Sequence, residues 1–265
     1  MRLSRRNLLA AAAAATAHQV LPSVLAAEPA PKLGLIFPPA NRGAPEEGIV
    51  MYGKRIEYVT VGLGLATMTP EGYDAVIDRI PTVAKTLVER GAQAVVLTGT
   101  SLTFYKGEAF NQKLTQTLRE AVGGLPVTTM STAVIDGLKA VGAKRVAAPT
   151  AYNDEVNARL RSFLTEHGFE VVTVQGLGVE AVGDIDKVTQ PQLLEFCTKV
   201  VKSAPKADAT LVSCGGLRTL EIIAPLESRT GKPAVTSMPH ALWAGAKLLG
   251  LDPRAPGFGR LLSMG

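Results

Sequence analysis

Ala209-Thr210-Leu211-Val212-Ser213-Cys214-Gly215-Gly216-Leu217 is a short apolar run that ends in a lone thiol, two glycines and the start of a helical pattern. An apolar run of this length, closed by glycine, reads as a buried strand of a parallel sheet. That geometry puts the Cys214 sulfur at a sheet edge, beside exposed backbone N–H groups and the N-terminus of the next helix. A run of the same form stands earlier, Ala94-Val95-Val96-Leu97-Thr98-Gly99-Thr100-Ser101, with Gly99 where the thiol would be. Phe37-Pro38-Pro39-Ala40-Asn41 likewise echoes Ala148-Pro149-Thr150-Ala151-Tyr152-Asn153, and the paired motifs lie about 112 to 115 residues apart. Two like lobes would turn the carboxyl ends of both sheets to one cleft, where open α/β sheets bind ligands. A single thiol, where the repeat allows two, suits a proton delivered to one face of a substrate.

The rest of the chain alternates short apolar strands with amphipathic helices, which argues a parallel α/β sheet with helices on both faces. The first lobe is expected to hold strands at 33–37, 56–62, 94–98 and 126–129. A polar loop with Gly and Pro, from 40 to about 55, is long enough to be a lid. Thr69-Pro70-Glu71 starts a helix with an N-cap, a first-turn proline and an acid. That helix is expected to run to Arg90 with a kink at Pro81. Helices at 108–122 and 132–141 complete the lobe. The second lobe is expected to contain strands at 145–149, 169–174, 209–213 and 234–236, with helices at 153–167, 190–203 and 218–230. The resulting fold class is α/β, two pseudo-symmetric Rossmann-like lobes with the site between them. The divisions are a leader at 1–27, lobes at 28–144 and 145–240, and a C-terminal helix and tail at 241–265 that returns to the first lobe.

The first 27 residues stand apart. Ser4-Arg5-Arg6-Asn7-Leu8-Leu9 is a twin-arginine pattern, an alanine-rich apolar stretch follows, and Val24-Leu25-Ala26-Ala27 offers small residues for cleavage. This reads as a Tat-type export signal, with the Tat machinery as partner and a periplasmic or exported destination. Thr16, His18 and Gln19 interrupt the apolar run, so a stable membrane anchor is not expected. The chain carries 28 basic and 23 acidic side chains, and three of the arginines belong to the leader, which leaves 25 against 23. No basic run interleaved with aromatics follows, so a nucleic-acid partner is not expected. Two cysteines make no disulfide framework, although a Cys197–Cys214 bond is conceivable in an oxidising compartment. Cys197 sits in a helical apolar pattern and reads as core.

Most standard catalytic sets are missing. His167 and His240 lie at no metal-ligand spacing with Cys or His, so no metal is expected. His167 closes a helix and suits its negative end. Neither a P-loop nor a G-x-S-x-G elbow occurs, and Gly62-Leu63-Gly64 lacks a third glycine, since position 67 is Thr. Chemistry without a cofactor follows. The strand ends offer hydroxyls and amides instead: Thr100, Ser101, Tyr152 and Tyr73. Such donors, converging on a cleft, suit a carboxylate or its enediolate. Each taken alone is ordinary, since Ser and Thr cap helices and a lone Tyr packs in cores. Their coincidence with Cys214 in two half-repeats is what points to a site.

These residues resemble the aspartate/glutamate racemase superfamily and, within it, the arylmalonate decarboxylase family. The matching stretches include Gly34-Leu35-Ile36-Phe37-Pro38-Pro39, Thr69-Pro70-Glu71-Gly72-Tyr73-Asp74, Gly99-Thr100-Ser101-Leu102, Ser213-Cys214-Gly215-Gly216-Leu217 and Pro256-Gly257-Phe258-Gly259-Arg260. The resemblance implies a monomeric, cofactor-independent carboxy-lyase acting on a disubstituted malonate, with Cys214 as proton donor. It implies one substrate carboxylate among Thr100, Ser101, Tyr152, Tyr73 and the amides of Ser101 and Gly215. The other would lie near Pro38, Pro39, Leu65 and Met68. Racemases and maleate isomerases of the superfamily carry two cysteines, and here Gly99 replaces the first. Asn41 resembles the isomerases instead, so isomerisation or racemisation of a related diacid is the alternative. A non-catalytic periplasmic carboxylate-binding protein is the second.

Overall fold

A computed structural model describes residues 29–40 and 43–265. The export signal expected at 1–27 and the Asn41 expectation lie outside the described residues. Among the described residues two four-stranded parallel sheets form, each flanked by helices. The first contains β1 (Lys32–Phe37), β2 (Glu57–Gly62), β3 (Ala94–Leu97) and β4 (Val127–Thr129), in the order β2-β1-β3-β4. The second contains β5 (Arg145–Thr150), β6 (Glu170–Gly176), β7 (Ala209–Val212) and β8 (Ala234–Thr236), in the order β6-β5-β7-β8. The two orders superimpose when each strand is matched to the one four places later, so the half-repeat in the sequence is a repeat of architecture. Val95, Val96, Leu97, Leu211 and Val212 are all fully buried, as strands covered on both faces require.

Besides an unexpected short helix at Thr100–Phe104 and a helix that starts two residues early at Met130, the helices differ from expectation in four further places. The segment expected as an open loop contains α1 (Glu46–Tyr52) and a 3-10 turn at Gly53–Arg55. Pro45 precedes α1, and Glu46 and Glu47 supply acids to its first turn, which favours the positive helix end. The expected kinked helix is two helices, α2 (Pro70–Ile77) and α3 (Ile80–Glu89), because Pro81 sits in the first turn of α3, where its missing N–H costs no intrahelical bond. Helices α4 (Thr100–Phe104), α5 (Glu108–Ala121), α6 (Met130–Ala140), α7 (Asp154–Glu166), α8 (Gln190–Lys202) and α9 (Leu220–Thr230) follow. The third difference is α9, which starts two residues later than expected. The fourth is α10 (Ser237–Leu248), which starts four residues early, because Pro239 again falls within a first turn.

Two glycines explain how closely the lobes join. Gly137 on α6 lies against Val235 of β8, and Gly245 on α10 lies against Leu33 of β1. Each of these helices therefore presses a bare backbone onto a strand of the other lobe, and a Cβ at either place would come closer to a side chain than ordinary contact allows. A short antiparallel bridge between Thr67 and Ala181 adds a second seam, with Met68 N–H donating to Glu180 O at 2.8 Å and Val182 N–H to Ala66 O at 3.0 Å. No helix among the described residues is long and apolar enough to cross a membrane.

Candidate active site

The carboxyl ends of β1, β2, β3, β7 and β8 border one cavity of about 320 Å3, within the range of small-ligand sites. The structure brings Pro38, Pro39, Leu65, Met68, Gly99, Thr100, Ser101, Cys214 and Gly215 together in its lining. Tyr73 and Tyr152 stand behind that lining, fully buried. Residues that the sequence reading missed complete it. Val182, Ile185, Leu217 and Met238 extend the apolar side, and Glu47 and Arg218 stand on the polar side.

Gly99 needs its glycine twice over. Its φ is +90°, a left-handed conformation, and a Cβ there would press well inside contact distance of Pro38 Cγ. Gly215 approaches it from the other lobe: a Cβ on Gly215 would lie 3.7 Å from Gly99 N and against Met130 Sδ. The two strand ends thus face each other across a gap that holds one thiol. Cys214 is 4% exposed, and neither it nor Cys197 is in a disulfide. Burial pushes the Cys197 thiol up to about 12, which keeps it an inert core group.

The expected helix N-terminus beside the thiol is corrected. Residues 215–219 form turns before α9, so the helix begins six residues beyond Cys214. Its first amides are already taken. One Glu47 carboxylate oxygen on α1 accepts from Thr219 N–H at 2.7 Å and Leu220 N–H at 2.8 Å. Burial raises the Glu47 carboxyl to about 7, helped by the Glu221 charge and opposed by those N–H donors. Glu46 pairs with Arg218 at 2.7 Å. Tyr52 hydroxyl donates to Pro253 O at 2.8 Å, so α1 is held at both ends.

Hydroxyls concentrate at the same place. Thr100 Oγ1 and Ser237 Oγ are 2.7 Å apart, Cys214 N–H donates to Ser237 Oγ at 3.1 Å, and the Tyr152 and Ser213 hydroxyls are 3.2 Å apart. Tyr73 hydroxyl is buried and, among the described residues, has no hydrogen-bond partner of good geometry, although the Ser101 side chain interacts with it. Burial lifts both tyrosines well above the ordinary phenol range, Cys214 adds to this, and the Ser101 side chain pulls Tyr73 the other way. Both phenols are therefore neutral donors. An orphaned buried donor is costly, and an anion in the cavity would relieve it. His240 is not in the cavity lining: its Nδ1 accepts from Thr236 N–H at 2.8 Å, and burial lowers it to about 4. His167 caps α7 and meets Glu108 at 3.0 Å. Among the described residues no three His, Cys, Asp or Glu side chains gather as a metal site.

A two-lobed α/β enzyme with one thiol facing a ring of neutral donors is the class that this fold and site define. The arylmalonate decarboxylase family model matches residues 33–262. The arylmalonate decarboxylase of Bordetella bronchiseptica is 45% identical over 232 residues, 87% of this chain and 96% of that protein. A liganded structure of an arylmalonate decarboxylase variant, with one glycine changed to cysteine and one cysteine to serine, is 44% identical with a TM-score of 0.83. That match covers 87% of this chain and 98% of the other. A maleate isomerase from Pseudomonas putida, solved with maleate, shares the fold at 21% identity with a TM-score of 0.81, covering 88% of this chain and 98% of its own. The chain belongs to the arylmalonate decarboxylase family, whose members are carboxy-lyases.

Proposed function

We propose that this protein decarboxylates an aryl- or alkenyl-substituted malonate to a chiral monocarboxylic acid, with Cys214 as the proton donor. The observation that carries the reading is a cavity bordered by Cys214 on one strand end and by Gly99, Thr100 and Ser101 on the other. One carboxylate binds among Thr100, Ser101, Tyr73, Tyr152 and the amides of Ser101 and Gly215. The other is forced against Pro38, Pro39, Leu65, Met68 and the apolar side chains of Val182, Ile185 and Met238. An ionised carboxylate among apolar atoms is strongly unfavourable, whereas CO2 is neutral and tolerates the place. The C–C bond breaks, CO2 leaves, and its electron pair remains on the α carbon as an enediolate. Neutral donors preset around those oxygens stabilise the developing charge without reorganising. The Cys214 S–H proton then passes to the α carbon from one face, and the thiolate regains a proton from solvent.

The test is methyl-phenylmalonate given to the purified protein, with CO2 release and product chirality followed. CO2 release with a product of one hand supports the reading, and undiminished turnover by Cys214→Ser would remove the thiol from the mechanism. Conversion of maleate to fumarate without CO2 release would favour an isomerase instead. The family resemblance supports a monomer, and the twin-arginine leader supports export of the folded enzyme through the Tat machinery. That predicts protein in the periplasmic fraction, with loss of export when Arg5→Lys and Arg6→Lys are combined.

A further inference from the structure

The residue that starts α10 has the counterpart that starts α6. Thr236 and Thr129 are the respective N-caps, so Ser237 in the second lobe matches Met130 in the first. Met130 lies against Gly215. Ser237 instead joins both strand ends: its Oγ accepts from the N–H of Cys214 at 3.1 Å and lies 2.7 Å from Thr100 Oγ1. Ser237 is wholly buried, and these are its side-chain hydrogen-bond partners among the described residues.

We propose that Ser237 is a positioning residue that aligns the Thr100 hydroxyl proton toward the reacting carboxylate. This rests on the decarboxylase reading and deepens it. The direction of the bridge follows from counting protons. A hydroxyl has one proton to give and two lone pairs to accept with. Cys214 N–H already occupies one acceptor position of Ser237. If Thr100 donated to the other, the Ser237 proton would be buried with no acceptor, which is unfavourable. If Ser237 donates to Thr100, every proton in the bridge is placed and Thr100 keeps its own proton for the site, where the Tyr152 hydroxyl also reaches it. The backbone of Thr100 on α4 is held from behind: Ser131 Oγ–H donates to Thr100 O at 2.9 Å, and Thr103 Oγ1 lies 3.1 Å from the same oxygen. The bridge presets a donor before charge develops, the condition under which such donors act most strongly.

The experiment is a double-mutant cycle of Ser237→Ala and Thr100→Val, with kcat and KM measured on phenylmalonate. Removing an oxyanion donor outright costs about 100- to 1,000-fold; misaligning one is expected to lower kcat about 10- to 100-fold, with KM within about threefold. In the Thr100→Val background the same serine change is expected to cost less than about threefold, because residues that act through one another do not add. Equal losses in both backgrounds, or a Ser237→Ala kcat within threefold of the parent, overturn the proposal. Ser237→Gly is measured beside it, and either folded variant decides. Amide exchange at Cys214 is an independent readout, expected to quicken at least about tenfold without the serine, with Val212 unchanged. A parent protein that releases no CO2 from either malonate overturns the decarboxylase reading, and the exchange rate then decides the bridge, which falls if Cys214 exchanges equally in both proteins.

Discussion

The ends of β3 and β7 occupy matching places in two matching lobes, yet they are built for opposite tasks. After β3 comes Thr98-Gly99-Thr100-Ser101, a glycine with φ of +90° that leads straight into α4. This end is rich in hydroxyl and amide donors and carries no acid or base. After β7 comes Ser213-Cys214-Gly215-Gly216, a thiol followed by bare backbone, with no helix until Leu220. This end carries the acid and almost no side-chain donors. A reaction that must take a proton from one face and return it to the other needs a group at both ends. One that only delivers a proton needs one, and at the other end Pro38 occupies the place a side chain would take. The lobes therefore show how a duplicated scaffold acquires a direction: symmetry of backbone is kept while symmetry of chemistry is removed.

The comparison is broken most severely at Cys214. Cys214→Ser keeps the size but replaces a titratable thiol by a far weaker acid, and general acid catalysis is worth about 100- to 10,000-fold. Turnover of methyl-phenylmalonate is expected to fall by that amount, read by CO2 release under saturating substrate. The donor end comes next. Thr100→Val removes one preset donor and is expected to lower kcat about 100-fold with a smaller change in KM. A change confined to KM would mean that Thr100 binds the substrate and the transition state equally.

Gly99→Cys tests the comparison from the other side, since it restores the missing thiol. Its product is expected to lose optical purity, measured by chiral chromatography, because a second proton donor then faces the enediolate. The substitution has a structural cost, for the site has a left-handed φ and Pro38 occupies the space of the new Cβ. A non-glycine residue in such a conformation is destabilised by about 1–3 kcal/mol, visible as a lowered thermal midpoint. Relief of that strain by Pro38→Ala, with recovery of the midpoint, would confirm its source.

The two ends also differ in how far they could be read in advance. The strands, the paired motifs and the facing of Gly99 and Cys214 were legible because apolar runs punctuated by glycine are local signals. The pocket residues Pro38, Pro39, Leu65 and Met68 came from the family resemblance, and the structure gathers them. What escaped depends on contacts distant in the chain. Glu47 meets Thr219 and Leu220 from 172 and 173 residues away. The helix that carries it, Glu46–Tyr52, is about two turns long and contains a glycine, too short for a periodic pattern to stand out. Ser237 lay outside the helix expected from 241, which in fact begins at Ser237 with Pro239 inside its first turn. The half-repeat held a usable clue, since Thr236-Ser237-Met238 echoes Thr129-Met130-Ser131 with the polar and apolar residues exchanged.

Glu47 gives the mildest test of the difference between the ends. The helix after β3 keeps its hydroxyls for the cavity, whereas the helix after β7 has its first amides covered by a protein carboxylate. That carboxyl titrates near 7 in the folded protein against an ordinary 4.5. The folded state therefore holds a proton that the unfolded chain has released between those two values. Stability is expected to fall as pH rises from about 4.5 to 7 and to level off above. One pKa unit corresponds to about 1.4 kcal/mol, and Glu47 is only partly removed from solvent, so the fall is on the order of 2 kcal/mol once screening is allowed for. Glu47→Gln keeps an oxygen for Thr219 and Leu220 but cannot ionise. Denaturant midpoints taken across that pH range should drop for the parent and stay nearly flat for the variant. Parallel curves would mean that the carboxyl is ionised throughout, and that the amides at the start of α9 hold it more strongly than burial opposes it.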